Sequence, residues 1–319
     1  MQKSKAVIAV FVVIVQLFTL NLWTTPAQPK DNAETVMFLS DYQNADKDND
    51  LRADRLRAIL AAVNTRPGLV VGGGDYQDGD AAFASDAGIR EIKSTVAEKW
   101  PDGRISYIFA QGNHDPLFGS LLINRSGMYE FDDYVVVVID HSLAPWRHND
   151  WPDRGELTKF TAGILSNALE KLADRGEKRP VFIVTHLPLH YTDRGDGTDN
   201  LYAGYIFDAV SASADKLDIV FLFGHNHSGD HDDYIGGAVN YIGKGGTMLL
   251  GGTKEEVELG FTYMNCGYVG YSGSDPAVAS NTLTVSEITV TDDSLIIQKY
   301  SADGEYYSPA ITVERTAEG

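Results

Sequence analysis

Three of the chain's eight histidines lie in one segment, Phe221–Asp233, which reads FLFGHNHSGDHDD. Imidazole nitrogens and carboxylate oxygens crowded at the end of an apolar run can hold a divalent cation. The alternative is a solvated polar loop that happens to hold histidines. Four other apolar runs end in the same residue types. TVMFLS leads into Asp41 and Gln43, LVVGGG into Asp75, ISYIFAQG into Asn113, His114 and Asp115, and PVFIVT into His186. His225 and His227, two apart, can splay from a loop toward one centre without a helix. A carboxylate such as Asp75 can bridge two ions about 3.5–4 Å apart. The preceding Gly72–Gly74 let the backbone pass close to such a site.

Those residues do chemistry only if the elements bring them together. LRADRLRAILAAVNTR (51–66) is apolar at 51, 56, 59, 60 and 63, a helical spacing stopped by Pro67–Gly68. GELTKFTAGILSNALEKLADRG (155–176) is a second helix closed by Gly176, 80–99 is helical, and 202–215 reads as another helix. YVVVVIDH (134–141) has the composition of a strand buried on both faces. Strands alternate with helices through about residue 227, which is an α/β pattern. Beyond it the chain turns glycine-rich. The stretches 257–271, 281–293 and 294–304 read as antiparallel strands and a hairpin. No repeat or linker interrupts the chain, so 31–319 is expected to be a single domain with a β-rich C-terminal third. Sheets of this kind bind ligands beyond the carboxyl ends of their strands, so the five polar tips should meet in one crevice.

The blocks SDYQ, GGGD, GNHD, THLPLH and GHNH, in that order, resemble the calcineurin-like metallophosphoesterases. The match runs from about Phe38 to His227. The resemblance implies a four-layer α/β/β/α sandwich, two packed mixed β sheets flanked by helices. It implies two divalent metal ions (manganese, zinc or iron), one held by Asp41, Gln43, Asp75 and His227. The other is held by Asp75, Asn113, His186 and His225, so that Asp75 bridges. It further implies catalytic roles for three residues. Asn113 reaches a phosphate oxygen, His114 assists the leaving group, and Asp115 holds the imidazole's orientation. The implied activity is a dinuclear metal-dependent phosphoesterase that cuts a phosphate mono- or diester by attack of a metal-bridging hydroxide.

Gln43 departs from the family, in which many members carry histidine. An amide oxygen is a harder ligand, which favours manganese, magnesium or calcium over zinc at that position. It also motivates a second reading, a non-catalytic binding protein on a degenerate scaffold with one ion. A phosphodiesterase acting on nucleotides or lipid head groups is a variant of the first. Substrate contacts are expected in HYTDRGDGTDNLYAGY (190–205), from His190, Tyr191, Arg194 and Asn200, and from His231. His141 and His148 are weaker candidates for the site edge.

Composition narrows the partners. The formal net charge is −19. No basic cluster offsets it, so a small phosphate ester is expected and long nucleic acid is not. The single cysteine, Cys266, excludes an internal disulfide and sits in an apolar run as a packing residue. Lys3 and Lys5, the apolar run 6–23 and small residues near Ala27 read as a signal peptide over 1–27. The expected location is secreted or periplasmic, with no stable span in the mature chain. If that segment is retained, it is a membrane anchor instead.

Overall fold

Val135–Val138 forms a strand with all four valines buried, which requires protein on both of its faces. The computed structural model supplies it. The structure describes residues 35–43, 49–77, 86–115, 122–124, 126–140, 154–192, 200–227, 241–270, 284–301 and 310–315.

The first half of the chain supplies β1 (Thr35–Leu39), α1 (Asn49–Ala62), β2 (Leu69–Gly72), α2 (Ala87–Lys99) and β3 (Ser106–Phe109). Next come β4 (Gly127–Glu130), β5 (Val135–Val138), α3 (Arg154–Asp174), β6 (Val181–Val184), α4 (Ala203–Ser211) and β7 (Ile219–Phe223). The last third holds β8 (Tyr241–Ile242), β9 (Thr247–Leu249), β10 (Glu256–Glu258), β11 (Thr262–Asn265) and β12 (Gly267–Tyr268). It ends with β13 (Thr284–Val290), β14 (Ser294–Ser301) and β15 (Ile311–Glu314).

Two mixed sheets result. One has the order β15-β14-β13-β1-β2-β3 with β12 also on β13, and its β1, β2 and β3 are parallel. The other has the order β4-β5-β6-β7-β11-β8, parallel from β5 to β11. Strands β9 and β10 pair separately.

Three apolar layers hold the sheets together. Val36, Phe38 and Val71 of the first sheet meet Val136, Phe182 and Val220 of the second between the two sheets. The outer face of the first sheet packs on Leu56, Ile59, Leu60 and Val63 of the α1 segment and Ile92 and Val96 of α2. The outer face of the second packs on α3 and α4. Helix α3 buries Thr158, Thr161, Ala162, Leu165, Leu169 and Leu172, the three-and-four spacing of one helical face, and Gly176 follows at φ +66°. Truncating a wholly buried residue such as Leu169 to alanine would cost about 2–5 kcal/mol. The order is therefore α/β/β/α with strands dominating the C-terminal region.

One expected pairing differs. The stretch 257–271 reads as antiparallel strand, yet β11 runs parallel to β7 and is antiparallel only to β8. All four β11 residues are buried, and a strand covered on both faces has no alternation to reveal its direction. At Gly267, φ +118°, the chain then crosses to the first sheet as β12. No helix among the described residues is long and apolar enough to cross a membrane.

Candidate metal centre

The five polar tips follow β1, β2 and β3 of one sheet and β6 and β7 of the other. Each trio or pair is adjacent in its own sheet. Backbone hydrogen bonds tie the tips together. Asp41 N–H donates to Gly74 O at 3.0 Å, Gln43 N–H to Asp75 O at 2.9 Å, and Gly224 N–H to His186 O at 3.0 Å.

The loops are tight. Asp41, Gln43, Asp75, His225 and His227 all have positive φ, between 45° and 69°, and Lys254 is the one other non-glycine residue so described. An L-residue there costs roughly 1–2 kcal/mol. Such strain persists only where the surroundings over-determine it, typically at functional sites. Two glycines permit the approach. A Cβ on Gly224 would lie 2.0 Å from Ser40 Oγ and 2.8 Å from Asp41 Oδ2, and one on Gly74 would lie 2.6 Å from His186 Nδ1.

Two ligand groups form. Asp75, His186 and His225 offer atoms all within 4.8 Å of one another, and so do Asp41, Asp75 and His227. Asp75 belongs to both. In the first group His186 Nε2 lies 3.3 Å from Asp75 Oδ2, 2.9 Å from Asn113 Oδ1 and 3.2 Å from His225 Nδ1. Asn113 Oδ1 is 2.8 Å from His225 Nδ1. The other nitrogen of His186, Nδ1, donates to Gly73 O at 2.8 Å, which aims the lone pair of a neutral ring into the cluster. In the second group His227 Nε2 lies 3.2 Å from Asp41 Oδ1 and 3.1 Å from Gln43 Nε2, and its ring stacks on Tyr268 at 4.9 Å and 5°.

The fit to cations rests on the buried oxygens of the two groups. Gln43 Oε1 is buried and accepts no hydrogen bond, while the buried Asp41 Oδ1 and Asp75 Oδ2 face His227 Nε2 at 3.2 Å and His186 Nε2 at 3.3 Å. Buried oxygens of this kind normally have a partner, and a divalent ion is one. A proton is the other species able to sit among them. Burial opposes charge on His186, but Asp75, its hydrogen bond, Asp41 and the Gly73 carbonyl outweigh it and push the ring up to about 9. Burial likewise opposes charge on Asp75, but His186 and His114 hold its carboxyl below the usual range. Cation binding would displace that proton.

His114 stands at the edge of the first group. Its backbone N–H donates to Asp75 Oδ1 at 2.8 Å, and its ring Nε2 is 4.0 Å from Asp75 Oδ2. The ring is partly open, at 15% exposure, whereas His186 is sealed. Asp115 is placed differently from the role the resemblance implies. Its Oδ2 accepts the N–H groups of Asp75 and Gly112 at 2.8 Å, and its Oδ1 accepts that of Tyr76 at 2.8 Å. Among the described residues its hydrogen-bond partners are backbone amides, and the His114 ring is not one of them. Burial and the Asp75 charge push Asp115 up to about 7 against those amides.

The residues expected to touch substrate separate. Arg194, His231, His141 and His148 lie outside the described residues. Tyr191 is half-buried, with Lys254 Nζ 4.1 Å above its ring. Asn200 is buried, and its amide donates to the carbonyls of Pro188 and His190. His190 is buried as well, with its ring between Tyr263 and Asn226. Asn226, Tyr263 and Tyr268 carry no coordinating signature in the sequence. Only Asn226, inside GHNH, had a position that could have drawn notice. Cys266 is buried and burial pushes its thiol up, as a packing residue requires.

Fold and site together define a class: an α/β/β/α sandwich with two candidate metal-ligand groups that share one carboxylate. Among solved structures, the chain shares its fold with a dimetal phosphatase from Danio rerio. The two are 15% identical with a TM-score of 0.55, over 90% of this chain and 100% of that one. A conserved uncharacterised protein of Streptococcus pneumoniae, described as a predicted phosphoesterase, is 12% identical over 88% of this chain and 98% of that one, with a TM-score of 0.38. No family model matches the chain, and no curated protein matches it.

Proposed function

We propose that this protein is a metal-dependent phosphoesterase acting on a small phosphate mono- or diester. The observation that carries the reading is the shared Asp75, which would make the two ligand groups one dinuclear site. Asp41, Gln43 and His227 with Asp75 would hold one ion, and Asn113, His186 and His225 with Asp75 the other. Two divalent ions there would neutralise phosphate-oxygen charge and acidify a water toward neutral pH.

The chain's own residues do the rest. Asp75 keeps both groups in register and fixes the His114 loop through its Oδ1. The partly open ring of His114 would hand a proton to the departing oxygen. Asp115 keeps the Asp75 and Asn113 loops joined. The acid-rich composition favours a small ester over a polyanion. Secretion is part of the proposal and rests on the sequence of residues 1–27, which lie outside the described residues.

A second reading rests on Gln43, whose Nε2 faces His227 while Oε1 has no partner. If Gln43 does not ligate, the protein holds one ion and binds without turnover. Metal content of the purified protein, with hydrolysis of nitrophenyl phosphate and bis-nitrophenyl phosphate before and after chelation, tests both. Two ions with metal-restored turnover supports the hydrolase. One ion with no turnover under manganese or zinc would sink it in favour of the binding protein.

A further inference from the structure

His225 and His227 serve different ligand groups, and the residue between them is Asn226, wholly buried. Whatever holds Asn226 holds the spacing of the two groups. Its backbone N–H donates to Gly224 O at 2.8 Å. Its side-chain amide meets His190 Nε2 at 2.8 Å. The amide is therefore gripped at one end, by His190.

His190 is itself fixed from behind. Its Nδ1 lies 2.8 Å from the Tyr263 hydroxyl, which has a proton of its own to donate to that nitrogen. The same oxygen takes the backbone N–H groups of Leu189 at 2.7 Å and His190 at 3.2 Å. Tyr263 belongs to β11 and stacks on Phe223, the last residue of β7, at 4.5 Å and 22°. The His190 ring stands edge-on to Phe223 at 5.3 Å. A path thus runs from Phe223, at the end of the strand that leads into His225 and His227, through Tyr263 and His190, and back to the residue between those two histidines.

We propose that His190 is a positioning residue which, by gripping Asn226, sets the spacing between the two metal-ligand groups, and that it does not touch substrate. The inference rests on the dinuclear reading above. The expected ligands flanking Asn226 hold φ of 69° and 50°, conformations that persist only where the surroundings fix them, and an anchor on Asn226 acts on both neighbours. His190 also lies four residues after His186, so one loop supplies both a ligand of one group and the anchor for the pivot between both.

The test compares wild type with His190→Phe, His190→Gln and Asn226→Ala. The readouts are manganese binding by calorimetry on chelator-treated protein, and the spin coupling of the two bound manganese ions. Far-UV circular dichroism and the melting temperature in chelator separate folding from metal binding. Wild type is expected to take two coupled ions. His190→Phe and Asn226→Ala should keep the secondary structure, bind the second ion at least about tenfold more weakly and lose the coupling. His190→Gln, whose amide can both donate and accept toward Asn226 and Tyr263, should restore both.

Two coupled ions with unchanged affinity in Asn226→Ala and His190→Phe would overturn the positioning role. So would a raised KM with metal binding intact, which marks a substrate contact. If His190→Phe does not fold, Asn226→Ala and His190→Gln decide alone. Absence of two ions from wild type would instead overturn the dinuclear reading, and this inference with it.

Discussion

The carboxylate of Asp115 accepts the backbone N–H of Asp75 at 2.8 Å, so one acid side chain holds the loop that presents another. Its second oxygen accepts from Tyr76, and Gly112 N–H joins the first. The loop after β2 and the loop after β3 are thereby tied at the point where both ligand groups meet. Asp115→Ala leaves those amides buried without a partner, and each such group costs about 1–3 kcal/mol. The variant should unfold at lower urea than wild type even in chelator, and bind metal about 10–100-fold more weakly. Wild-type stability in chelator would mean that the amides find other acceptors.

His114 and Asp75 should separate by what they lose. Asp75→Asn removes a charged oxygen from both groups, so binding of both ions and turnover should disappear together. His114→Ala removes a ring at the edge, so both ions should remain while turnover falls by about 10²–10⁴-fold. The loss should be largest for alkyl esters, whose leaving groups need a proton, and smaller for nitrophenyl esters. Equal losses across the two would show that His114 does not act on the leaving oxygen.

If Gln43 ligates as proposed, it sets which metal suits its group. An amide oxygen beside two carboxylates and one imidazole favours a hard ion, so manganese should restore turnover better than zinc. Gln43→His replaces the oxygen with a softer nitrogen. Its metal preference should move toward zinc, read by titrating chelator-treated protein with each ion. An unchanged preference would remove Gln43 from the coordination shell.

Away from the site, an acid cluster makes stability depend on pH. Glu177 Oε1 accepts from Arg179 Nε at 2.8 Å, and its other oxygen from Arg175 Nε at 3.1 Å. Chiefly through the Arg179 hydrogen bond, and against partial burial, its carboxyl is lowered from 4.5 to about 2. The folded value lies below the unfolded one. Its contribution is therefore full above about pH 4.5 and is lost as pH falls toward about 2. Glu177→Gln should lower the urea midpoint at pH 6, and the gap from wild type should close between pH 4.5 and 2. A gap independent of pH would show that shape, not charge, holds the cluster.

Much of this protein was legible in its residues. Asp41, Asp75, His186, His225 and His227 stand out because coordinating groups seldom follow apolar runs so regularly. The helix over Arg154–Asp174 follows from its three-and-four spacing. Other features depend on direction and distance, which one-dimensional order does not carry. That His225 and His227 face different groups is decided by two backbone turns at positive φ. That Asp115 clamps amides instead of the His114 ring is decided by how closely the β2 and β3 loops approach. His190 and Asn200 read as substrate contacts on a loop, yet both are buried, with the His190 ring against Phe223 and Tyr263. The sequence by itself determined which chemical groups sit at the strand ends, because composition and spacing place them there. Only the tertiary structure decided which of them share a centre and which merely hold it, because coordination requires lone pairs converging within a few ångströms from two different sheets.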